Sequence, residues 1–235
     1  MPGELIPGSD SSGLQAQIDS IQSQVESLSG GSSEPPTFVS TQVTNSDGNN
    51  QCNFTLPSTV QAGDALIASG GGNASGGMTS VTGATPAVAW NLLGISSTGN
   101  HTSTLWLATA SSTSASKTVT MQFAGSINCG YLTVVRGWSR LVASSTNATS
   151  SGVAALNSSV MYNLDSTTLL IGHASWRNSG FTLSTPQALN KESSGNNGLN
   201  IAYALFAGTL SQDTAFRATA SGSAECAVAA VVLGA

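Results

Sequence analysis

The first patterned stretch of the chain is GLQAQIDSIQSQVESLSGG. Its apolar residues Leu14, Ile18, Ile21, Val25 and Leu28 step by 4, 3, 4 and 3. That is heptad spacing, and it predicts a helix over 14–29, roughly 22 Å long. Ile18 and Val25 take the a positions, and Leu14, Ile21 and Leu28 the d positions. Gly13 and Gly30–Gly31 bracket the helix, with Ser11 and Ser12 as cap residues. The seam is narrow, strictly a and d, so it predicts self-association rather than a helix lying on its own domain. The flanking Gln15, Gln17, Gln22 and Gln24 carry no charge and impose no like-charge penalty on parallel copies. β-Branched a with Leu at d leans toward dimers, whereas Ile at both 18 and 21 leans toward trimers. The seam leaves both open, and two heptads alone are marginal.

Residues 1–13 have no periodicity and read as an extended arm. Leu5 and Ile6 stand between Pro2 and Pro7, next to Glu4. This makes Glu4, Leu5 and Ile6 the candidate anchoring residues. Residues 30–36 are a Gly/Ser/Pro linker, and Pro35–Pro36 stop any helix from continuing.

From residue 37 the pattern changes to short β runs: FVSTQV, ALIAS, STLWLATA, KTVTMQF, YLTVVRG, TTLLIGHAS, NIAYALFAG, TAFRATA and CAVAAVVLG. Clusters of Gly, Asn, Ser and Pro separate them. The spacing predicts an all-β domain over 37–235, an antiparallel, jelly-roll-like β-sandwich. It contains an internal repeat. AGSINCGYLTVVRG (124–137) aligns without gaps to SGSAECAVAAVVLG (221–234), placing Cys129 on Cys226. DALIA (64–68) matches TLLIG (168–172) at a slightly larger offset. Two halves, about 38–137 and 138–235, are therefore expected to share one strand order. They form either one duplicated sandwich, the preferred arrangement, or two small packed ones.

Charged residues are 7% of the chain, against about 25% in ordinary soluble domains. Hydroxyls and amides must therefore wet the surface. The first 50 residues hold six carboxylates and no Lys or Arg, and the remainder five carboxylates and six bases. Nucleic acid is not expected as a partner, because no basic patch exists to release counterions. Neither a signal peptide nor a run of about 20 apolar residues is visible, so no membrane partner is expected. Synthesis in the cytoplasm is the expectation.

Chemistry-bearing patterns are few. The three cysteines lack metal-ligand spacing and read as buried thiols, so no metal and no cofactor are expected. His101 lies in STGNHTST, which reads as a hairpin loop, and His173 follows an apolar strand. No G-x-S-x-G elbow supports a Ser–His arrangement. Asp64 and Asp165, near equivalent places in the two halves, read as turn residues rather than a glycosidase pair. The Gly-rich stretch 70–77 reads as a mobile loop. Trp90, Trp138 and Trp176 fall at or beside predicted loops. Trp176, with Arg177 and Asn178, is the candidate glycan contact, an indole face beside guanidinium and amide donors; the alternative for each of the three Trp is a core or hinge aromatic. No enzyme is expected.

The polar arm, Gln-lined heptad, Pro-bearing linker and Ser/Thr/Gly/Ala-rich β domain together resemble virion proteins of tailed bacteriophages. Head-decorating (cement or head-fibre) and short tail-fibre proteins are of this kind. GDALIAS, AWNLLG and TLWLATA, followed by KTVTMQF, are similar to β-sandwich domains of such proteins. The resemblance implies a homotrimer on the virion surface, with the arm on the particle and the sandwich outward. Its implied partners are the major capsid protein or another virion protein. In a tail-fibre or adhesin reading, a host surface glycan joins them.

Overall fold

The computed structural model describes residues 17, 18, 20, 34–47, 49–72, 77–83, 89–98, 101–111, 117–125, 127–157, 164–177, 181–184, 190–196, 199–207 and 215–235. The chain divides into two units, Met1–Ser32 and Ser33–Ala235. In the first, Gln17, Ile18 and Ser20 are helical and Ile18 is half-exposed. Leu14, Ile21, Val25 and Leu28 of the heptad seam, and Glu4, Leu5 and Ile6 of the arm, lie outside the described residues.

The second unit is all β, with fourteen strands among the described residues. They are β1 (Thr37–Asp47), β2 (Gln51–Thr55), β3 (Ala65–Gly72), β4 (Met78–Gly83), β5 (Asn91–Thr98), β6 (His101–Thr109), β7 (Thr118–Phe123) and β8 (Ile127–Arg136). They continue as β9 (Arg140–Asn157), β10 (Thr168–Arg177), β11 (Phe181–Ser184), β12 (Asn190–Asn196), β13 (Leu199–Ala207) and β14 (Arg217–Gly234). A first sheet has the order β1-β8-β3-β6-β5, and a small sheet the order β2-β7-β4. A last sheet has the order β11-β14-β10-β13-β12, with β9 also on β14. Every pairing is antiparallel.

Two cores explain the burial patterns. β2 alternates, with Cys52 and Phe54 inward and Gln51, Asn53 and Thr55 outward. Its inward residues join Met121 and Phe123 of β7 and Met78 and Val81 of β4 against Leu66, Ala68, Leu132 and Val134 of the first sheet. The opposite face of that sheet packs Ala65, Ile67, Leu105, Leu107 and Val135 against Leu169, Ile171, Ala229, Val231 and Leu233 of the last sheet. β3 is covered on both faces, so all eight of its residues are buried. This corrects the reading of 70–77 as a loop, since Gly70–Gly72 finish β3. A Cβ on Gly70 would stand 2.7 Å from the Phe123 ring, and one on Gly71 would strike the Ser175 hydroxyl.

The ladders of the two halves correspond. Leu66 pairs with Val134 and Leu170 with Val232, shifts of 104 and 98 residues. Ile67–Leu107 matches Ile171–Leu205, and Thr41–Thr133 matches Ser144–Val231. Ile95–Thr104 matches Ser193–Ala202. Even the β-bulge recurs, between Phe38 and Ser40 and again between Leu141 and Ala143. The small sheet has its counterpart too. Asn53–Thr120 matches Asn157–Arg217, and Met78–Phe123 matches Phe181–Ala220. β1 and β2 thus correspond to the single long β9, and β7 and β8 to β14.

The gapless sequence match is one residue out of step in β8 and β14. A shift of 98 carries Val135 to Leu233, both in the core between the large sheets. A shift of 97 would carry Val134, which faces the small sheet, to Val231, which faces the other way. A one-residue slip turns every side chain over. Cys129 therefore corresponds to Ala227, and Cys226 looks to the face opposite.

Candidate functional site

The apolar pattern of the strands breaks at one level between the first and last sheets. Tyr131 and Thr133 of β8, His101 and Ser103 of β6, and His173 and Ser175 of β10 are all buried there. Each occupies the inward phase of its strand, where neighbours along the chain carry Leu, Ile or Val. Buried polar groups need partners, and these find them across the gap.

His101 Nε2 lies 2.9 Å from Ser175 Oγ, and His173 Nε2 lies 3.2 Å from Thr133 Oγ1. Thr133 continues to Thr41 Oγ1 on β1 at 2.7 Å. The Tyr131 hydroxyl donates to the Ala174 carbonyl at 2.6 Å, and Ser103 donates to the Val228 carbonyl at 3.0 Å. Those carbonyls sit inside sheets, but an oxygen with two lone pairs accepts a second bond. The Cys129 thiol donates to Gly71 O at 3.4 Å and also bonds Ser175. Tyr131 and His173 stack, with ring centroids 4.4 Å apart and planes 13° from parallel.

Burial keeps His173 and Cys129 neutral. It lowers the His173 pKa to about 3 and raises that of Cys129 to about 11, against a smaller lowering from the Gly71 and Ser175 bonds. A His–Ser contact resembles half of a catalytic triad. Here both side chains are enclosed between packed sheets, so no substrate reaches the Ser175 hydroxyl. What the arrangement does physically is fix the two large sheets against each other in one register. The sequence singled out both histidines but not Tyr131, Thr133, Ser175 or Thr41. Their available signal was a polar residue at the inward phase of an apolar strand.

His101 is not in the hairpin loop where the sequence placed it. It is the first residue of β6, fully buried, and pairs with Thr98 at the end of β5. Trp176 of the expected glycan contact is also fully buried and pairs with Cys226 in the ladder, so its ring offers no face to a sugar. Arg177 ends β10, and Asn178 lies outside the described residues. Trp138 donates its indole N–H to Gly63 O at 2.9 Å, and Trp90 packs against the core beneath the small sheet.

Asp64 and Asp165 are turn residues, as expected, but not at equivalent places. Asp64 Oδ2 accepts the backbone N–H of Gln61 at 2.7 Å, and Thr168 Oγ1 accepts that of Asp165 at 3.0 Å. Asp64 thus corresponds to Thr168, and Asp165 to Gln61. The buried Asp64 carboxylate meets Arg136 in a two-pronged pair at 2.9 and 3.0 Å. Hydrogen bonds from Thr167 hold the exposed Asp165 carboxyl below its ordinary pKa. Cys52 and Cys226 are buried too, as thiols whose pKa burial pushes up to about 12. Among the described residues, no group of three or more His, Cys, Asp or Glu could hold a metal ion, and no helix is long and apolar enough to cross a membrane. No family model matches the chain, and neither a curated protein nor a solved structure is detectably similar to it.

Proposed function

We propose that the protein is a structural component of a tailed-bacteriophage virion, a homotrimer that decorates or cements the capsid. The arm at 1–13 holds the particle, the heptad seam at 14–29 gathers three copies, and the β body faces outward. The observation that carries this reading is the strand order. A sheet ordered 1-8-3-6 over a small sheet ordered 2-7-4 is jelly-roll-like, with strand 5 paired to strand 6 at the edge of the larger sheet instead of lying beside strand 4. The ladder correspondence repeats that order in each half, which supports reading the domain as two jelly-roll-like sandwiches packed through their large sheets, the second of the two arrangements the repeat allows. Jelly rolls serve as capsid and lectin domains. That support is an analogy of fold.

The buried seam between the large sheets supports the same reading. Its His173 and Cys129 are held neutral and its side chains are hydrogen-bonded across the gap, which suits a rigid scaffold. The short linker before the β body suits a squat knob on a shell rather than the tip of a long fibre. Mass spectrometry of purified particles, read as copies per virion, tests the proposal. Hundreds of copies are expected. A handful would assign the protein to the tail as a fibre or adhesin, and none would remove it from the virion.

A further inference from the structure

The outward face of the small sheet carries a cleft of about 400 Å³, within the range of small-molecule pockets of about 300–1,000 Å³. Its lining is Asn49, Asn50, Gln51, Asn53 and Gln122, amide side chains throughout. Asn49 and Asn50 come from the connection between β1 and β2. Gln51 and Asn53 are outward residues of β2, and Gln122 stands opposite Gln51 on β7. The Asn50 carbonyl accepts the backbone N–H of Phe123 at 2.7 Å, which ties the connection to β7.

Two hydrogen bonds set the amides in place. Gln51 Nε2 donates to Gln122 Oε1 at 2.8 Å, and Thr120 Oγ1 donates to Asn53 Oδ1 at 2.8 Å. Gln51 Oε1 is left as an acceptor, and Gln122 Nε2 and Asn53 Nδ2 as donors. Flipping the two Gln amides together exchanges their roles but still leaves one donor beside one acceptor. The fold does not require this chemistry. At the ladder positions of Gln51 and Gln122 the second half carries Ala155 and Thr219, and at those of Asn53 and Thr120 it carries Asn157 and Arg217.

We infer that the amide cleft of Asn49, Asn50, Gln51, Asn53 and Gln122 is a binding site for a neutral, hydroxyl-rich ligand, a glycan without charged groups. An amide offers a donor and an acceptor side by side, and adjacent sugar hydroxyls each offer both. A lining of amides gives a charged ligand no counter-ion and an apolar ligand no surface to bury. The inference rests on the cleft alone and stands wherever the protein resides. It also moves sugar recognition away from Trp176, which is core.

The test uses the full chain and an array of neutral oligosaccharides, with sialylated and sulfated ones alongside. The variant is Gln51→Ala with Gln122→Thr, which installs the residues of the second half at two surface positions. At least one neutral oligosaccharide should bind the wild type. The variant should bind it about tenfold or more weakly, as expected for two lost hydrogen bonds. As a second measurement, the side-chain NH₂ resonances of Gln51, Asn53 and Gln122 should shift when the bound sugar is added. The inference is overturned if no neutral oligosaccharide binds, if charged ones bind as well, if the variant binds undiminished, or if those resonances stay still.

Discussion

Tyr131 on β8 stacks on His173 on β10 across the gap between the two large sheets, with planes 13° from parallel. The imidazole is closed off from water, and its Nε2 meets the Thr133 hydroxyl, not a carboxylate. Nothing described there compensates a positive charge, which is why burial drives the pKa down to about 3.

That depression has a sign and a pH window. The unfolded chain binds a proton near pH 6.5, and the folded chain only near 3. The stability contribution is therefore intact above about 6.5. It is lost as pH falls from there toward 3, at up to about 1.4 kcal/mol per pH unit. His173→Phe keeps a ring against Tyr131 but forfeits the Thr133 contact, costing about 1 kcal/mol at pH 7. Urea unfolding at pH 7, 5 and 4 should show the wild type losing stability more steeply than the variant. Equal slopes would mean that His173 is not held neutral.

The thiols respond to a different probe. Cys52, Cys129 and Cys226 are fully buried, and burial raises all three pKa values. At pH 8 an aromatic disulfide reagent should label none of them in the native protein and all three in denaturant, because the thiolate is the nucleophile. Rapid native labelling of Cys129 and Cys226 would contradict their placement on interior strands.

Assembly is tested at the heptad seam. Replacing Ile18 and Ile21 with Asp would set unpaired carboxylates into an apolar seam. Light scattering should then report a smaller species than the wild type. An unchanged mass would place self-association in the β body instead.

Strand content was legible from the sequence because each β run is short, rich in β-branched residues and bounded by turn formers. The repeat was legible through its glycines and cysteines, but its register was not. Identity at Cys129 and Cys226 outweighed the face that each residue takes, and only the opposite sheet decides the face. Gly70–Gly72 misled for a related reason. A glycine run looks like a loop until Phe123 and Ser175 are seen pressing on it from either side. Trp176 is the core aromatic that the sequence also allowed; its polar neighbours Arg177 and Asn178 suggested a surface contact, whereas inward and outward residues alternate along a strand. The amide cleft was out of reach, since Gln122 lies 71 residues from Gln51 and only the β2–β7 ladder joins them.

The register correction makes a prediction of its own. With shifts of 104 in β3 and 97 in β7, Ala68 and Val119 of the first half correspond to Gly172 and Phe216 of the second. Ala68 and Val119 share the core beneath the small sheet. Phe216 is fully buried, and its ring sits so close to Gly172 that a Cβ there would clash with it. The second half has thus exchanged a medium pair for a small and a large one, which conserves volume. Gly172→Ala alone should overpack the site and cost about 1–3 kcal/mol in urea unfolding. Phe216→Val alone leaves a cavity and should cost about 2–3 kcal/mol. Together they restore the pair of the first half, so the double variant should lose at least about 1 kcal/mol less than the two single losses added. Additive losses would mean that the two sites are not equivalent, and the correspondence between β7 and the start of β14 would have to be withdrawn.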